Sequence, residues 1–98
     1  MRRLILRPTA ESDLSDIWDY TSERWSLQQA RTYAAGMTEV LFLLCEQPEI
    51  APVYGKLTPP IRVHRFRSHL VIFIADDDHI DVIRVVHSRS NWSDLLVE

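Results

Sequence analysis

The sequence is short of several residue types, and each shortage excludes something. Its 98 residues hold one cysteine, Cys45, two glycines, Gly36 and Gly55, and one lysine, Lys56. A single cysteine closes no internal disulfide, and Cys45 sits in an apolar helical run that suits a small core residue better than a nucleophile. Two separated glycines cannot build a phosphate-cradling loop. No group of histidine, cysteine and carboxylate residues has metal-ligand spacing, so neither a metal nor another cofactor is expected. The apolar stretch "LIL" between Arg3 and Arg7 is too short for a signal-peptide core, and no run approaches the roughly 20 residues of a membrane span. The expected compartment is a reducing cytoplasm, with no membrane partner.

What is present describes a chain that folds. Hydrophobic residues make up 46% and charged residues 26%, far from the composition of a disordered segment. A chain of this length is expected to form one domain over residues 1–98. The net charge of −3 conceals a separation by sign. Glu11, Asp13, Asp16, Asp19 and Glu23 fall in a stretch without lysine or arginine, whereas no acid lies between Glu49 and Asp76. That second stretch carries Lys56, Arg62, Arg65 and Arg67, with His64 and His69 beside them. One acidic and one basic face are expected, the basic one suited to an acidic peptide or a phosphate backbone.

Periodicity supplies the elements. "RLILR" before Pro8 reads as a short strand. Thr9 is placed to cap a helix whose apolar stripe runs through Ala10, Leu14, Ile17, Trp18, Thr21 and Trp25. "SLQQ" has the form of a capping box, Ser26 to Gln29, opening a second helix with Ala30, Tyr33, Ala34, Met37, Leu41 and Leu44 on one stripe until Pro48 stops it. With so short a connector the helices should form an antiparallel hairpin. A long proline-bearing connection, "EQPEIAPVYGKLTPP", follows. Three β-prone runs then cover Ile61 to Arg67, His69 to Ala75 and Ile80 to His87, the last two joined by the turn-prone "DDDH". "HLVIFIA" is apolar on both parities, as a strand covered on both faces would be. The expected fold is α+β in the order β-α-α-β-β-β, a helical hairpin packed on a small, mostly antiparallel sheet. Leu14, Ile17, Leu41, Leu44, Ile72 and Val85 are the expected core between the layers.

Three stretches, "DLSDIWDYTSERWSLQQARTY", "IRVHRFRSHLVIF" and "IDVIRVVHSRSN", together resemble the ParE branch of the RelE/ParE toxin superfamily. They match its helix-turn-helix start, its arginine-led strand with a Ser-His opening to the next, and its last strand. The resemblance implies the toxin of a type II toxin-antitoxin pair, a ParD-like antitoxin as partner, and DNA gyrase as target. No sequence-specific nucleic-acid binding is implied.

The other branch resembles RelE, which cuts messenger RNA on the ribosome. That chemistry needs an acid, a base and cations around the scissile phosphate. The sequence has only Lys56 where the nuclease pattern has several lysines, and Asn91-Trp92 where a tyrosine would stand. On an uninterrupted strand Arg84 would share a face with Val82 and Val86, and His87 and Arg89 would share the other with Ile83 and Val85. No catalytic residue is therefore assigned, and a messenger RNA endoribonuclease is the alternative reading. Trp25, Leu27 and Tyr33 are expected to border an antitoxin groove, with Arg62, Arg65 and Arg67 meeting antitoxin acids. Arg84, His87, Arg89 and Trp92 are the expected target-binding residues.

Overall fold

The computed structural model describes residues 1–96. Strand β1 (Arg3–Leu6) leads into helix α1 (Pro8–Arg24), and Trp25-Ser26 alone turns the chain into helix α2 (Leu27–Glu46). Proline suits the first helical position, where its fixed φ is already helical and its missing N–H is not needed. Arg7, not Thr9, is consequently the N-cap residue. The Thr9 hydroxyl instead donates to the Ile83 carbonyl at 3.1 Å, tying α1 to the sheet. At α2 the expected cap is present, with the Gln29 N–H donating to Ser26 Oγ at 3.0 Å. The helix ends two residues before Pro48, which opens a 3-10 turn over Pro48–Ile50.

The second half contributes β2 (Val53–Tyr54), β3 (Ile61–Phe66), β4 (His69–Ala75) and β5 (His79–His87), then a 3-10 turn over Trp92–Leu96. The expected element order is present, with the two-residue β2 added inside the proline-bearing connection. The sheet order is β1-β5-β4-β3-β2. β1 runs parallel to β5, and the remaining neighbours are antiparallel. Asp76 forms the β4-β5 turn, its carboxylate accepting the Asp78 and His79 N–H groups at 2.7 Å each.

One irregularity corrects the strand-parity argument. Phe73 pairs with Val82 and Ile72 with Arg84, leaving Ile83 as an extra residue in β5. Such a bulge reverses the facing of everything beyond it. Val82 and Val85 therefore both join the helix-side core, while Ile83 and Val86 pack on the far side. Arg84 does not share a face with Val82, nor His87 with Ile83. Arg84 and His87 still alternate, because the register from Arg84 to His87 is regular.

The helix-side core joins Met37, Leu41, Leu44 and Cys45 of α2 to Val71, Phe73, Ile80, Val82 and Val85 of the sheet. The far side buries Ile61, Leu70, Ile72 and Val86 beneath Trp92. β4 is thus covered on both faces, as its unbroken apolar run requires. Of the expected core between the layers, Leu41, Leu44 and Val85 are buried there, whereas Ile72 is buried on the far face of β4, because strand alternation turns it away from Val71 and Phe73. Leu14 and Ile17 are partly buried, since they pack on the core but line a cavity between the helices. Gly36 lets α2 lie close over β3, because a Cβ there would stand 2.7 Å from the Phe66 ring.

Arg7 and Asp81 form a two-pronged ion pair at 3.1 and 2.9 Å between the end of β1 and β5. The Arg7 side chain is 45% exposed, so screening by water limits the gain. Arg7→Ala is expected to lower the unfolding free energy by about 1 kcal/mol or less in urea titrations.

Candidate functional site

Two concavities meet along the helical hairpin. The first is a largely apolar cavity of about 240 Å³ between α1, α2 and β1. The partly buried Leu4, Leu6, Leu14 and Ile17 line it together with the exposed Trp18, Thr38 and Phe42. Phe42 is 47% exposed and Trp18 36%, so the cavity is open to a partner's side chain. Trp18, which the stripe assigns to core packing, thus sits at the margin of the core. The sequence contains a signal for this cavity: Ala34, Thr38 and Phe42 recur at i, i+4 and i+8, a second, flanking stripe on α2.

The second concavity is a groove of about 660 Å³ between the hairpin corner and the β3-β4 turn. α1 contributes Asp16, Tyr20 and Thr21, the corner contributes Trp25, and α2 contributes Gln29, Thr32 and Tyr33. The opposite wall is Arg67 and Ser68 of the turn, His69 of β4 and His87 of β5. Tyr33 anchors the arrangement. Its ring packs edge-on against Phe66 at 5.1 Å and against His69 at 5.5 Å, and its hydroxyl is hydrogen-bonded to His69 Nδ1. Burial pushes the Tyr33 hydroxyl pKa up. His69 and His87 are cross-strand partners whose rings meet edge-on at 5.4 Å. Burial, followed by the neighbouring His87, lowers the His69 pKa.

Arg67 occupies the positive-φ region at 53°, where glycine is commoner. Its guanidinium lies over the Phe66 ring at 5.6 Å, at the groove wall. A strained non-glycine residue at a groove rim is a pattern seen at functional sites.

The residues singled out from the sequence divide differently in three dimensions. Trp25, Tyr33 and Arg67 come together, and His87 joins them although it belongs to the other expected set. Leu27 is 49% exposed and lies outside the groove lining. Arg62 and Arg65 are three apart on β3 and point to opposite faces; Arg62 donates to the Ala51 carbonyl at 2.6 Å and Arg65 to the Arg67 carbonyl at 2.8 Å. Arg84 is clasped by Asp13 at 2.7 and 2.9 Å. Trp92 packs against Tyr54 with ring centres 4.9 Å apart, over the far core. Arg62, Arg84 and Trp92 are therefore each engaged within the fold. His69 and Tyr20 were not assigned to the site from sequence; His69 follows from its pairing with His87, which only the strand register reveals.

Among the described residues, no group of three histidine, cysteine or acidic side chains is arranged to hold a metal ion, and no helix is long and apolar enough to cross a membrane.

Comparison with known proteins places the chain. The family model described as the ParE toxin of type II toxin-antitoxin systems, parDE, matches residues 4–92. A protein named Toxin ParE1 from Mycobacterium tuberculosis is 31% identical over 88 residues, covering 89% of this chain and 90% of that protein. Another of that name, from Caulobacter vibrioides, is 31% identical over 91 residues, covering 93% and 94%. A solved structure titled as the chromosomal ParDE system of P. aeruginosa shares the fold with a TM-score of 0.74 at 17% identity, over 89% of this chain and 96% of that one. Fold, family match and relatives agree: the chain belongs to the ParE toxin family of type II toxin-antitoxin systems.

Proposed function

We propose that this chain, as one ParE-like domain, inhibits DNA gyrase in the cytoplasm by binding it, and that a ParD-like antitoxin neutralises it. The observation that carries the reading is the convergence of Trp25, Tyr33 and Arg67 in one groove beside an open apolar cavity. An amphipathic antitoxin segment would seat apolar anchors in the cavity past Trp18 and Phe42 and place acids toward Arg67. His87 lies in the same groove, so the segment would also cover part of the proposed target surface. Arg62, Arg65, Arg84 and Trp92 have partners within the fold, which leaves His87 and Arg89 as the better target contacts.

Action without bond cleavage is supported by the commitment of Arg84, the one arginine of β5, to an ion pair. A nuclease would need free positive charge opposite its acid and base. Arg84 is committed to Asp13, and the regular register from Arg84 to His87 sets these two side chains on opposite faces of β5.

The test uses one preparation freed of antitoxin in two assays. Gyrase supercoiling should be inhibited with accumulation of cleaved complex, and a translated message should stay intact. Codon-positioned cuts that disappear in His87→Ala, with gyrase unaffected, would replace this reading by the endoribonuclease. In a binding assay with the antitoxin, Trp25→Ala and Arg67→Glu should each raise the Kd by about 30-fold or more, the range for losing an interface anchor of at least 2 kcal/mol. Unchanged affinity in both variants would remove the groove from the interface.

A further inference from the structure

Resting on the antitoxin reading above, we propose that His69 is a carboxylate-binding site in the groove, occupied by an acidic side chain of the antitoxin and protonated as that side chain docks.

The two histidines of the groove differ in what protonation would do to their hydrogen bonds. His87 Nδ1 accepts the backbone N–H of Arg89 at 3.1 Å. A proton on that nitrogen would set two donors against each other and break the bond to Arg89. His69 is placed differently. Its Nδ1 meets the Tyr33 hydroxyl, and that hydroxyl has a second acceptor, the Phe66 carbonyl at 3.4 Å. If His69 takes up a proton, Nδ1–H donates to the Tyr33 oxygen and the Tyr33 hydrogen turns to the Phe66 carbonyl. No hydrogen bond is stranded, and Nε2–H remains for an anion.

The surroundings decide when this happens. Facing His69 are Tyr33 of α2, His87 of β5 and Arg67 of the turn, with Asp16 and Tyr20 across the groove on α1. In the free protein, burial and His87 favour the neutral ring. A carboxylate against Nε2 supplies the opposite charge that favours the imidazolium. One negative charge fits better than two, because Asp16 already lines the opposite wall; this selects a carboxylate over a phosphate dianion.

The sign follows directly. The bound-state pKa of His69 lies above the free-state pKa, so binding takes up a proton between the two values. Affinity is greatest below the free-state value and weakens as pH rises through the bound-state value, by up to about tenfold per pH unit. Calorimetric titration of the purified antitoxin of the same operon, in two buffers of different ionisation heat across pH 5.5–8.5, reads both quantities. Net uptake of up to one proton, absent in His69→Gln, is the expected result. Ring-nitrogen NMR of the parent protein, needing no variant, should show His69 passing from neutral to imidazolium on complex formation. Tight binding with pH-independent affinity, or uptake that persists in His69→Gln, would overturn the proposal and leave the antitoxin reading standing. No binding at any pH would remove both.

Discussion

Phe73→Ala should cost about 3–5 kcal/mol of stability, the largest loss expected from any single truncation in this fold. Phe73 is fully buried in β4, the strand with neighbours on both sides and packing on both faces, and it is the largest of the fully buried side chains. Its ring lies in the helix-side cluster with Met37, Leu41 and Leu44 of α2 and Val71 and Val82 of the sheet. Removing it deletes a large apolar transfer term and leaves a void that a sheet pinned by ladders on both edges cannot collapse around. For a domain of this size the change corresponds to a fall in Tm of about 12 °C or more. Ile74→Ala is the internal comparison: the neighbouring residue faces the far side and is only partly buried, so its loss should be clearly smaller. Equal destabilisation by the two substitutions in urea unfolding would mean that the helix-side layer is not the principal core.

The parts of this fold that could be read from the sequence are those set by local periodicity. α1, α2 and the three long strands lie within a residue or two of the expected bounds, because each carries an amphipathic or doubly apolar pattern that tertiary contacts reinforce. β2 escaped because two residues in a proline-rich connection carry no period, and its pairing with Ile61 and Arg62 rests on how the intervening loop folds back. The bulge at Ile83 escaped for a similar reason: VIRVV alternates acceptably in either register, and only the partner strand shows where the extra residue goes. That one residue is why Val82 and Val85 share a face, against simple alternation.

The site was legible only in part. Trp25, Tyr33 and Arg67 stood out by chemical type, and the hairpins bring them together. Charge alone could not sort the arginines. Arg62, Arg65 and Arg84 look alike in sequence, yet each donates within its own fold, to Ala51, Arg67 and Asp13 respectively. An acid-free stretch therefore does not by itself make an acid-binding face.

The second large effect concerns Asp13, which the sequence presents as one of five acids on a solvated helix face. The structure gives it a specific task at the point where β1 stops and β5 continues without a strand beside it. An unpaired edge leaves N–H groups that require partners. The Asp13 carboxylate accepts the Val85 N–H at 2.9 Å, and the Arg84 Nε and Nη2 at 2.7 and 2.9 Å. The pair is mostly sheltered, with side-chain exposures of 30% for Arg84 and 12% for Asp13. The Arg84 guanidinium pKa is raised, first by its hydrogen bonds to Asp13. Asp13→Ala is expected to cost about 2–4 kcal/mol, because it strands both an edge N–H and a partly buried cation. Asp13→Asn should cost less, since its remaining oxygen can still accept from Val85 although it no longer balances the charge. Arg84→Ala alone leaves the Val85 bond intact and should also cost less than Asp13→Ala. In the double-mutant cycle the two residues should couple by about 1–3 kcal/mol. Additive losses in that cycle would mean that the clasp between α1 and β5 contributes nothing as a unit, and that the Thr9–Ile83 hydrogen bond and the packing of Ala10, Leu14 and Ile17 hold the helix on the sheet.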